Sequence, residues 1–306
     1  MKLIYKGADI YNAVSVNKCI YDSYGEQQSD TLRIVFNDGN DRWDSWGPEK
    51  GDKISAVLGA CDTGVMYVIN VQPRNGQMFL YASSVPGTHN DKNNKSWQQI
   101  KFMQLCEEIA GRHDLTCEFF GVEDQTYEYI NQENQEDFIF LEQRCVLEGC
   151  AFLVYDGKLV VYSEKSLENG STNNKLIIPN SVKFDYKDES PNVYSRCVLK
   201  NGSFIGEFEV GNTTDKTLTR VMNIKISSQA EADRYAKNLL RFKNKAMTSG
   251  MCMSNTFLGG YAAGTLVELQ TAGVSSWDGP VLMTHVQQDL VAAKTKLYFR
   301  KPLEGY

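Results

Sequence analysis

Apolar residues recur at helical spacing through the middle of the chain, most clearly in the stretch from Ile130 to Tyr162. Phe138, Leu141 and Cys145 keep the three-to-four spacing of one helical face, which predicts a helix. Polar, amide-rich residues precede it, and either Asn134 or Asp137 is expected to cap its start by accepting a free backbone N–H.

A strand pattern follows this helix directly. Gly149 is predicted to end the helix in a left-handed conformation. Two runs rich in β-branched and aromatic residues come next, Phe152–Tyr155 and Leu159–Tyr162, and they flank Asp156-Gly157. Asp-Gly between apolar runs is the signal of a tight hairpin, because both positions tolerate positive φ. A helix and one hairpin cannot bury their own apolar faces, so other parts of the chain must cover them.

The residues before about Pro86 read mainly as strands and turns. Thr31–Asn37 alternates apolar and polar residues, and Met66–Gln72 and Gln77–Ser83 flank a turn at Arg74-Asn75-Gly76. The stretch between Asn37 and Lys53 is rich in Asp, Gly and Asn, which predicts a loop. Its Trp43 and Trp46 either anchor this loop to the protein or face a partner, and the anchor is favoured.

A polar stretch, Gly87–Ser96, is the best candidate for a linker between domains. Ser96 is then predicted to cap a helix over Trp97–Arg112, since Ile100, Met103, Cys106 and Ala110 fall on one helical face.

Strand patterns return after a second linker-like patch, Asn169–Asn174. Asn201-Gly202 predicts another tight turn. Ser228 and Glu231 form a capping box that starts a helix ending near Lys245. The other predicted strands in this part are Lys175–Ile178, Ser181–Tyr186, Tyr194–Leu199, Phe204–Val210, Gly264–Gln270, Pro280–Gln287 and Ala293–Arg300.

These elements predict a mainly β protein with an α+β middle: two barrel-like β domains flanking an α+β adaptor of two helices and a hairpin. The expected boundaries are residues 1–86 for the first β domain, 87–168 for the adaptor and 169–306 for the second β domain with one helix. A length of 306 residues favours two or three domains.

Charge and composition narrow the function classes. The net charge is −6 and the sequence pI about 5.3, which argues against electrostatic binding of nucleic acid or anionic membrane. The first ten residues are too polar for a signal peptide, and no apolar run is long enough to span a bilayer, so we expect synthesis in a cytoplasm without membrane insertion. The eight cysteines show no zinc-ligand spacing and are predicted to be reduced and structural.

Catalytic motifs are not recognisable in the sequence. A nucleophile elbow, a phosphate loop, a dinucleotide fingerprint and a zinc-protease motif are all missing. His89, His113 and His285 are the three histidines. A Cys106/His113 pair is conceivable, but a histidine that is satisfied or solvated is favoured at each position.

Adjacent carboxylates are frequent, and any of them could in principle supply an acid and a base for glycoside hydrolysis. They more often serve as helix caps and solubilising charges. We therefore predict no catalytic residue, no cofactor and no metal site. The adjacent carboxylates are Glu107-Glu108, Glu123-Asp124, Glu136-Asp137 and Asp188-Glu189.

The order of several short phrases resembles the late-control protein D family, the baseplate hubs of contractile phage tails and related injection machines, as found in prophages and R-type bacteriocins. In the middle of the chain these phrases are Ile109-Ala110 with Leu115, then Gln132, Asn134 and Asp137, then Leu141, Arg144 and Glu148-Gly149, then Asp156–Leu159. In the last third they are Ser228–Leu239 with Glu231-Ala232, Gly264–Val267, Trp277-Asp278-Gly279 and Met283–Val286.

The resemblance implies a non-enzymatic structural hub located in the baseplate of a virion or tail particle. Such hubs contain two tube-like barrels per chain, and three chains form a ring that joins the six-fold tail tube to the central spike. The implied partners are two further copies of the chain, the tail tube protein, the central spike protein and the baseplate wedge proteins. Two alternatives stay open: a cell-wall-degrading tail component that uses paired carboxylates, and a carbohydrate-binding β protein that uses Trp43 and Trp46.

Overall fold

The structure is a computed structural model that describes residues 1–26, 28–39, 42–87, 91–172, 174–178, 182–211, 214–273 and 275–306. Strands account for 49% of the chain and helices for 19%. This confirms the predicted fold class, a mainly β protein.

The first segment contains eight strands and one short helix. The strands are β1 (Lys2–Tyr5), β2 (Ala8–Asp9), β3 (Ser15–Tyr24), β4 (Thr31–Asn37), β5 (Lys53–Leu58), β6 (Cys61–Asp62), β7 (Met66–Arg74) and β8 (Gln77–Ser83). The helix α1 (Arg42–Trp46) lies inside the predicted loop.

The middle segment alternates strands with three helices. In chain order these are β9 (Lys92–Lys101), α2 (Phe102–Arg112), β10 (Thr116–Phe120), β11 (Thr126–Glu136), α3 (Asp137–Leu147), β12 (Cys150–Tyr155), β13 (Lys158–Ser163) and α4 (Glu164–Glu168).

The last segment contains nine strands and one long helix. They are β14 (Asn174–Ile178), β15 (Lys183–Asp188), β16 (Arg196–Asn201), β17 (Phe204–Glu209), β18 (Thr217–Val221), α5 (Gln229–Asn244), β19 (Thr248–Ser254), β20 (Leu266–Thr271), β21 (Gly279–Asp289) and β22 (Lys294–Arg300).

One large sheet connects the two ends of the chain. Its strand order is β15-β19-β22-β21-β3-β4-β8-β7-β5-β1-β2, with β6, β14 and β20 attached beside this path. The first and last segments meet where β21 pairs antiparallel with β3, from His285 opposite Tyr24 to Asp289 opposite Ile20. The predicted domain boundaries at residues 86 and 168 stay a prediction.

Three smaller sheets complete the fold. β9 and β11 form an antiparallel ribbon, β10 joins the β12–β13 hairpin in parallel, and β16 lies between β17 and β18. The helix α5 packs on the β16–β17 part of the last sheet.

The described residues form four hydrophobic cores. One lies among the first eight strands, one in the middle segment and one among the C-terminal strands of the large sheet. The fourth lies between α5 and the β16–β18 sheet. Some side chains cross between segments: Leu290 and Phe257 pack with the first core, and Leu147 of α3 joins the fourth. The cores are therefore distinct but linked by shared side chains.

The predicted hairpins are confirmed. Asp156 and Gly157 have φ of 47° and 75° and link β12 to β13. Asn75 and Gly76 link β7 to β8 in the same way. The hairpin near Asn201 is also present, but its two turn residues are 202 and 203, because Asn201 still pairs with Phe204.

The predicted start of the helix at Trp97 is wrong, because residues up to Lys101 belong to strand β9. Trp97 and Ile100 are both buried although they are three residues apart. Gln99 between them has a φ of 49°, which interrupts the strand alternation and imitates helical spacing. Ser96 donates its hydroxyl hydrogen bond to Asn131 of β11 and does not cap the helix. The predicted linker accordingly ends at Lys92, where β9 begins; residues 88–90 lie outside the described chain.

The predicted cap of α3 is also wrong. The N-cap residue is Glu136, and no side chain there accepts a capping hydrogen bond. Asn134 lies in a bulge of β11 with a φ of 47°, a conformation that asparagine tolerates well. The capping box of α5 is present: Ser228 Oγ accepts the Glu231 N–H at 3.1 Å, and the Glu231 carboxylate accepts the N–H of Ser227 at 2.8 Å.

Candidate functional site

His113 lies in a buried polar cluster at the end of α2. Its Nε2 is 3.0 Å from Oδ2 of Asp137, the first residue of α3. The other carboxylate oxygen of Asp137 accepts hydrogen bonds from Arg112 and Gln132, each at 2.8 Å. Burial opposes ionisation of Asp137, but its hydrogen bonds to His113 and Gln132 and the charge of Arg112 lower its pKa to about 2. The cluster ties α2, β11 and α3 together, and the sequence pattern did not indicate that Asp137 contacts His113.

Cys106 has no properties of a catalytic nucleophile. Its side chain is buried in the core of the middle segment, and burial raises the pKa of its thiol well above the usual value. A nucleophilic cysteine needs the opposite shift, towards thiolate. All eight cysteines are free thiols and seven are buried, so these seven pack as small apolar side chains.

The adjacent carboxylates contact several partners, and two of them, Glu108 and Asp137, share Arg112. Glu108 pairs with Lys95 and Arg112 and accepts the indole N–H of Trp97. Asp124 accepts the N–H of Met103 at the start of α2, and Glu189 pairs with Lys187. These residues act as caps and surface ion pairs.

The two tryptophans of the first segment differ in exposure. Trp43 is only 1% exposed and packs against Tyr5, Phe36 and Trp46. Trp46 is partly buried beside it. Trp43 anchors its loop, as favoured from the sequence, so a sugar-stacking platform made of both rings is not present.

His285 lies where β21 meets β3. Its ring is stacked between Tyr24 and Tyr298, with centroid distances of 4.4 and 4.8 Å. Its Nε2 is 2.9 Å from Oδ1 of Asp22, a carboxylate that Arg33 approaches to 3.0 Å. His285 thus links the two ends of the chain. His89 lies outside the described residues.

Among the described residues, three acids and three bases form a largely buried cluster, here called the ionic junction. No sequence pattern indicated it, because its members are up to 274 positions apart (300 − 26). Its members are Glu26 after β3, Glu164 and Glu168 of α4, Arg241 of α5, Lys245 after α5 and Arg300 of β22.

Glu168 lies at the centre of the ionic junction. Its Oε1 is 2.6 Å from Nη2 of Arg241 and 2.5 Å from Nη1 of Arg300, and its Oε2 accepts the N–H of Leu303 at 3.1 Å. Lys245 contacts Glu26 and, at 2.7 Å, Glu164.

Burial and charge act against each other in the ionic junction. Burial favours the neutral acid, but Lys245 and Arg300 hold the pKa of Glu26 below its usual value. At Glu164 burial dominates and raises the pKa. The junction contains equal numbers of acids and bases, and its members come from the first, middle and last segments, so it links all three.

A second contact joins the middle segment to α5. Arg234 donates to both carboxylate oxygens of Glu148 at 2.9 and 3.3 Å, and Tyr127 donates to the same carboxylate at 2.8 Å. Asn238 donates to the carbonyl of Leu147 at 2.7 Å. Gly149 has a φ of 67°, and a Cβ there would lie 2.8 Å from the Asn238 side chain. The Glu-Gly phrase noticed in the sequence therefore serves the docking of α5.

Several outer strands expose apolar side chains. Val221 of β18 is 80% exposed and Ile205 of β17 is 55% exposed. Both pair with Lys200 of β16, so they flank it on one face of the small sheet, opposite α5. Ile177 of the outer strand β14 is also exposed. Exposed apolar residues on outer strands are features of surfaces that bind other proteins.

Within the described part of the chain no group of three or more metal-ligating side chains converges. The described helices include none of the length and apolar character needed to cross a membrane.

Comparison with known proteins gives no relative at the sequence level: no model of a protein family and no curated protein matches this chain. Comparison of structures gives clear similarity. The 43 kDa tail protein of prophage MuSo2 from Shewanella oneidensis superposes with a TM-score of 0.72 at 13% identity, over 98% of this chain and 97% of that one.

Two further structures agree with this result. A tail protein of Neisseria meningitidis MC58 gives a TM-score of 0.76 at 11% identity, covering 98% of this chain and 95% of that one. The c3393 protein of E. coli, a type VI secretion component described as similar to the T4 tail proteins gp27 and gp5, gives 0.66 at 13% identity, covering 100% and 78%. Over nearly its whole length the chain has the fold of these phage tail and type VI secretion proteins.

Proposed function

We propose that this chain is a structural, non-enzymatic component of a phage-type tail. The similarity in fold to prophage tail proteins over 98% of the chain carries this proposal. The ordered sequence phrases support it independently, since they depend on the order of residues and not on the fold.

The more specific proposal is a baseplate hub. Three copies would form a ring that joins the six-fold tail tube to the central spike and contacts the baseplate wedge proteins. In a closed ring every subunit–subunit interface is paired, so none is left open for further copies of the chain to add. The apolar residues on the outer strands, Ile177, Ile205 and Val221, are candidates for contacts with other subunits.

The mass of the purified chain in solution and its place in the particle test this proposal. We expect light scattering to give a trimer, and negative-stain images of tails labelled on this chain to place the label where tube and spike meet. A chain that stays monomeric at high concentration and is missing from assembled tails would contradict it.

Peptidoglycan zymography tests the non-enzymatic part separately. We expect no clearing band at any pH, because Glu108, Asp124 and Asp137 are all engaged in ion pairs or hydrogen bonds within the protein. A band that disappears in Glu108→Gln would instead favour the cell-wall-degrading alternative.

A further inference from the structure

A cavity of about 290 Å³ lies between the first segment, the β12–β13 hairpin and the loop before β20. It is not fully enclosed, and its volume is near the lower end of small-molecule sites, roughly 300 Å³. Four tyrosines line it: Tyr21 and Tyr24 of β3, Tyr155 of β12 and Tyr261. Tyr24 also stacks on His285.

A buried carboxylate without a cationic partner lines the same cavity. Asp30 is 3% exposed, and its oxygens accept hydrogen bonds from the Tyr21 hydroxyl at 2.5 Å and from the N–H of Tyr24 at 2.8 Å. Among the described residues no lysine, arginine or histidine forms an ion pair with it. Burial raises the pKa of Asp30 to about 6.

Comparison with the neighbouring carboxylate Asp22 shows that the lack of a cationic partner at Asp30 is unusual. Asp22 lies on the same strand as Tyr21 and is similarly buried, but it has Arg33 at 3.0 Å and His285 at 2.9 Å. Buried carboxylates are expected to have such partners. Asp30 has only neutral donors.

A second acceptor at the cavity is free. Gln288 is 2% exposed, and its Nε2 donates to the carbonyl of Leu258 at 3.3 Å. Its Oε1 is buried and has no hydrogen-bond partner among the described residues. An unused buried acceptor is uncommon in native proteins and indicates a missing donor.

We infer that this cavity binds an organic ammonium group, supplied by a free alkylamine or by a lysine side chain. The Asp30 carboxylate would balance the positive charge, and Gln288 Oε1 would accept one of its N–H donors. The faces of the tyrosine rings attract cations. An alkyl stem attached to the ammonium would contact the apolar part of the lining, which includes Leu153, Val160 and Val286. This inference does not depend on the proposed role in a tail.

Calorimetric titration of the full chain at a pH above the Asp30 pKa tests this inference. Butylammonium is the probe, and butanol is its uncharged counterpart. We expect butylammonium to bind and butanol to bind much more weakly. Asp30→Asn removes the charge but keeps an acceptor for the Tyr24 N–H, and its NH₂ group can donate to the Tyr21 hydroxyl oxygen. We therefore expect a folded variant that binds butylammonium roughly tenfold or more weakly.

Asp114→Asn is the matched control. Asp114 is an exposed carboxylate outside the cavity with a φ of 55°, which asparagine accepts, so this variant should bind like the original chain. Tyr155→Leu gives a second test that leaves Asp30 intact, and it should weaken binding several-fold.

Two further probes distinguish the sources of the ammonium group. Tighter binding of Nα-acetyllysine amide than of putrescine would identify a lysine side chain, and the reverse order a free polyamine. The inference is overturned if no ammonium compound binds, or if folded Asp30→Asn and Tyr155→Leu both bind butylammonium as the original chain does.

Discussion

Replacement of Glu168 by glutamine tests whether the ionic junction holds the three segments together. Glutamine has nearly the same shape but no charge, and its NH₂ group cannot accept from a guanidinium. The change leaves Arg241 and Arg300 buried with one acid fewer than the bases require. The junction then carries a net charge of +1, since three acids and three bases become two and three.

We expect Glu168→Gln to lower the free energy of unfolding by a large amount for a single substitution. Removing one partner of a buried ion pair costs about 3–5 kcal/mol, because the remaining charge stays desolvated without compensation. Glu189→Gln breaks an exposed pair with Lys187 and should cost less than about 1 kcal/mol.

Urea unfolding and hydrogen exchange measure this effect together. A chain with four cores need not unfold in a single step, so exchange of the α5 amides identifies the transition in which the junction opens. We expect Glu168→Gln to move this transition to lower urea and to reduce protection in α5. Adding Arg300→Met restores equal numbers of acids and bases, so the double variant should lose less than the two single losses combined.

If Glu168→Gln lowered the free energy of unfolding no more than Glu189→Gln does, the ionic junction would not hold the three segments together. If the stability losses of Glu168→Gln and Arg300→Met simply added in the double variant, the two side chains would act independently and the junction would not be one unit.

Three further predictions concern packing, pH and thiol reactivity. A Cβ on Gly206 would lie 2.1 Å from the carbonyl oxygen of Ala232 in α5. Gly206→Ala should therefore lower the free energy of unfolding in urea by about 1–3 kcal/mol. In the control Gly202→Ala the added Cβ meets nothing within 4 Å, so little effect is expected. Because its pKa falls from 3.8 to about 2 on folding, Asp137 should contribute stability that is complete above pH 3.8 and is lost as the pH falls through about 2; Asp137→Asn should therefore lower the urea midpoint at neutral pH and less so near pH 2. Iodoacetamide should label the native chain slowly, first at Cys117, and all eight thiols rapidly in urea; rapid native labelling at several sites would contradict the burial described.

Short-range patterns in the sequence predicted the elements that depend on neighbouring residues alone. The Asp156-Gly157 turn forms because both residues accept positive φ, and the capping box at Ser228 forms because Glu231 is one helical turn away. The helix start predicted at Trp97 was wrong, because this segment pairs with β11 as a strand although its apolar residues have helical spacing.

The sequence by itself thus determined the hairpins, the helix α5, the mainly β composition and reduced, buried cysteines. Only the tertiary structure decided which distant charges meet. Glu26, Glu168 and Arg300 carry no local signal, and the ionic junction exists because β3, α4 and β22 pack against one another. The cavity beside Asp30 depends in the same way on three segments meeting, since long-range packing and not local propensity sets which buried charges find a partner.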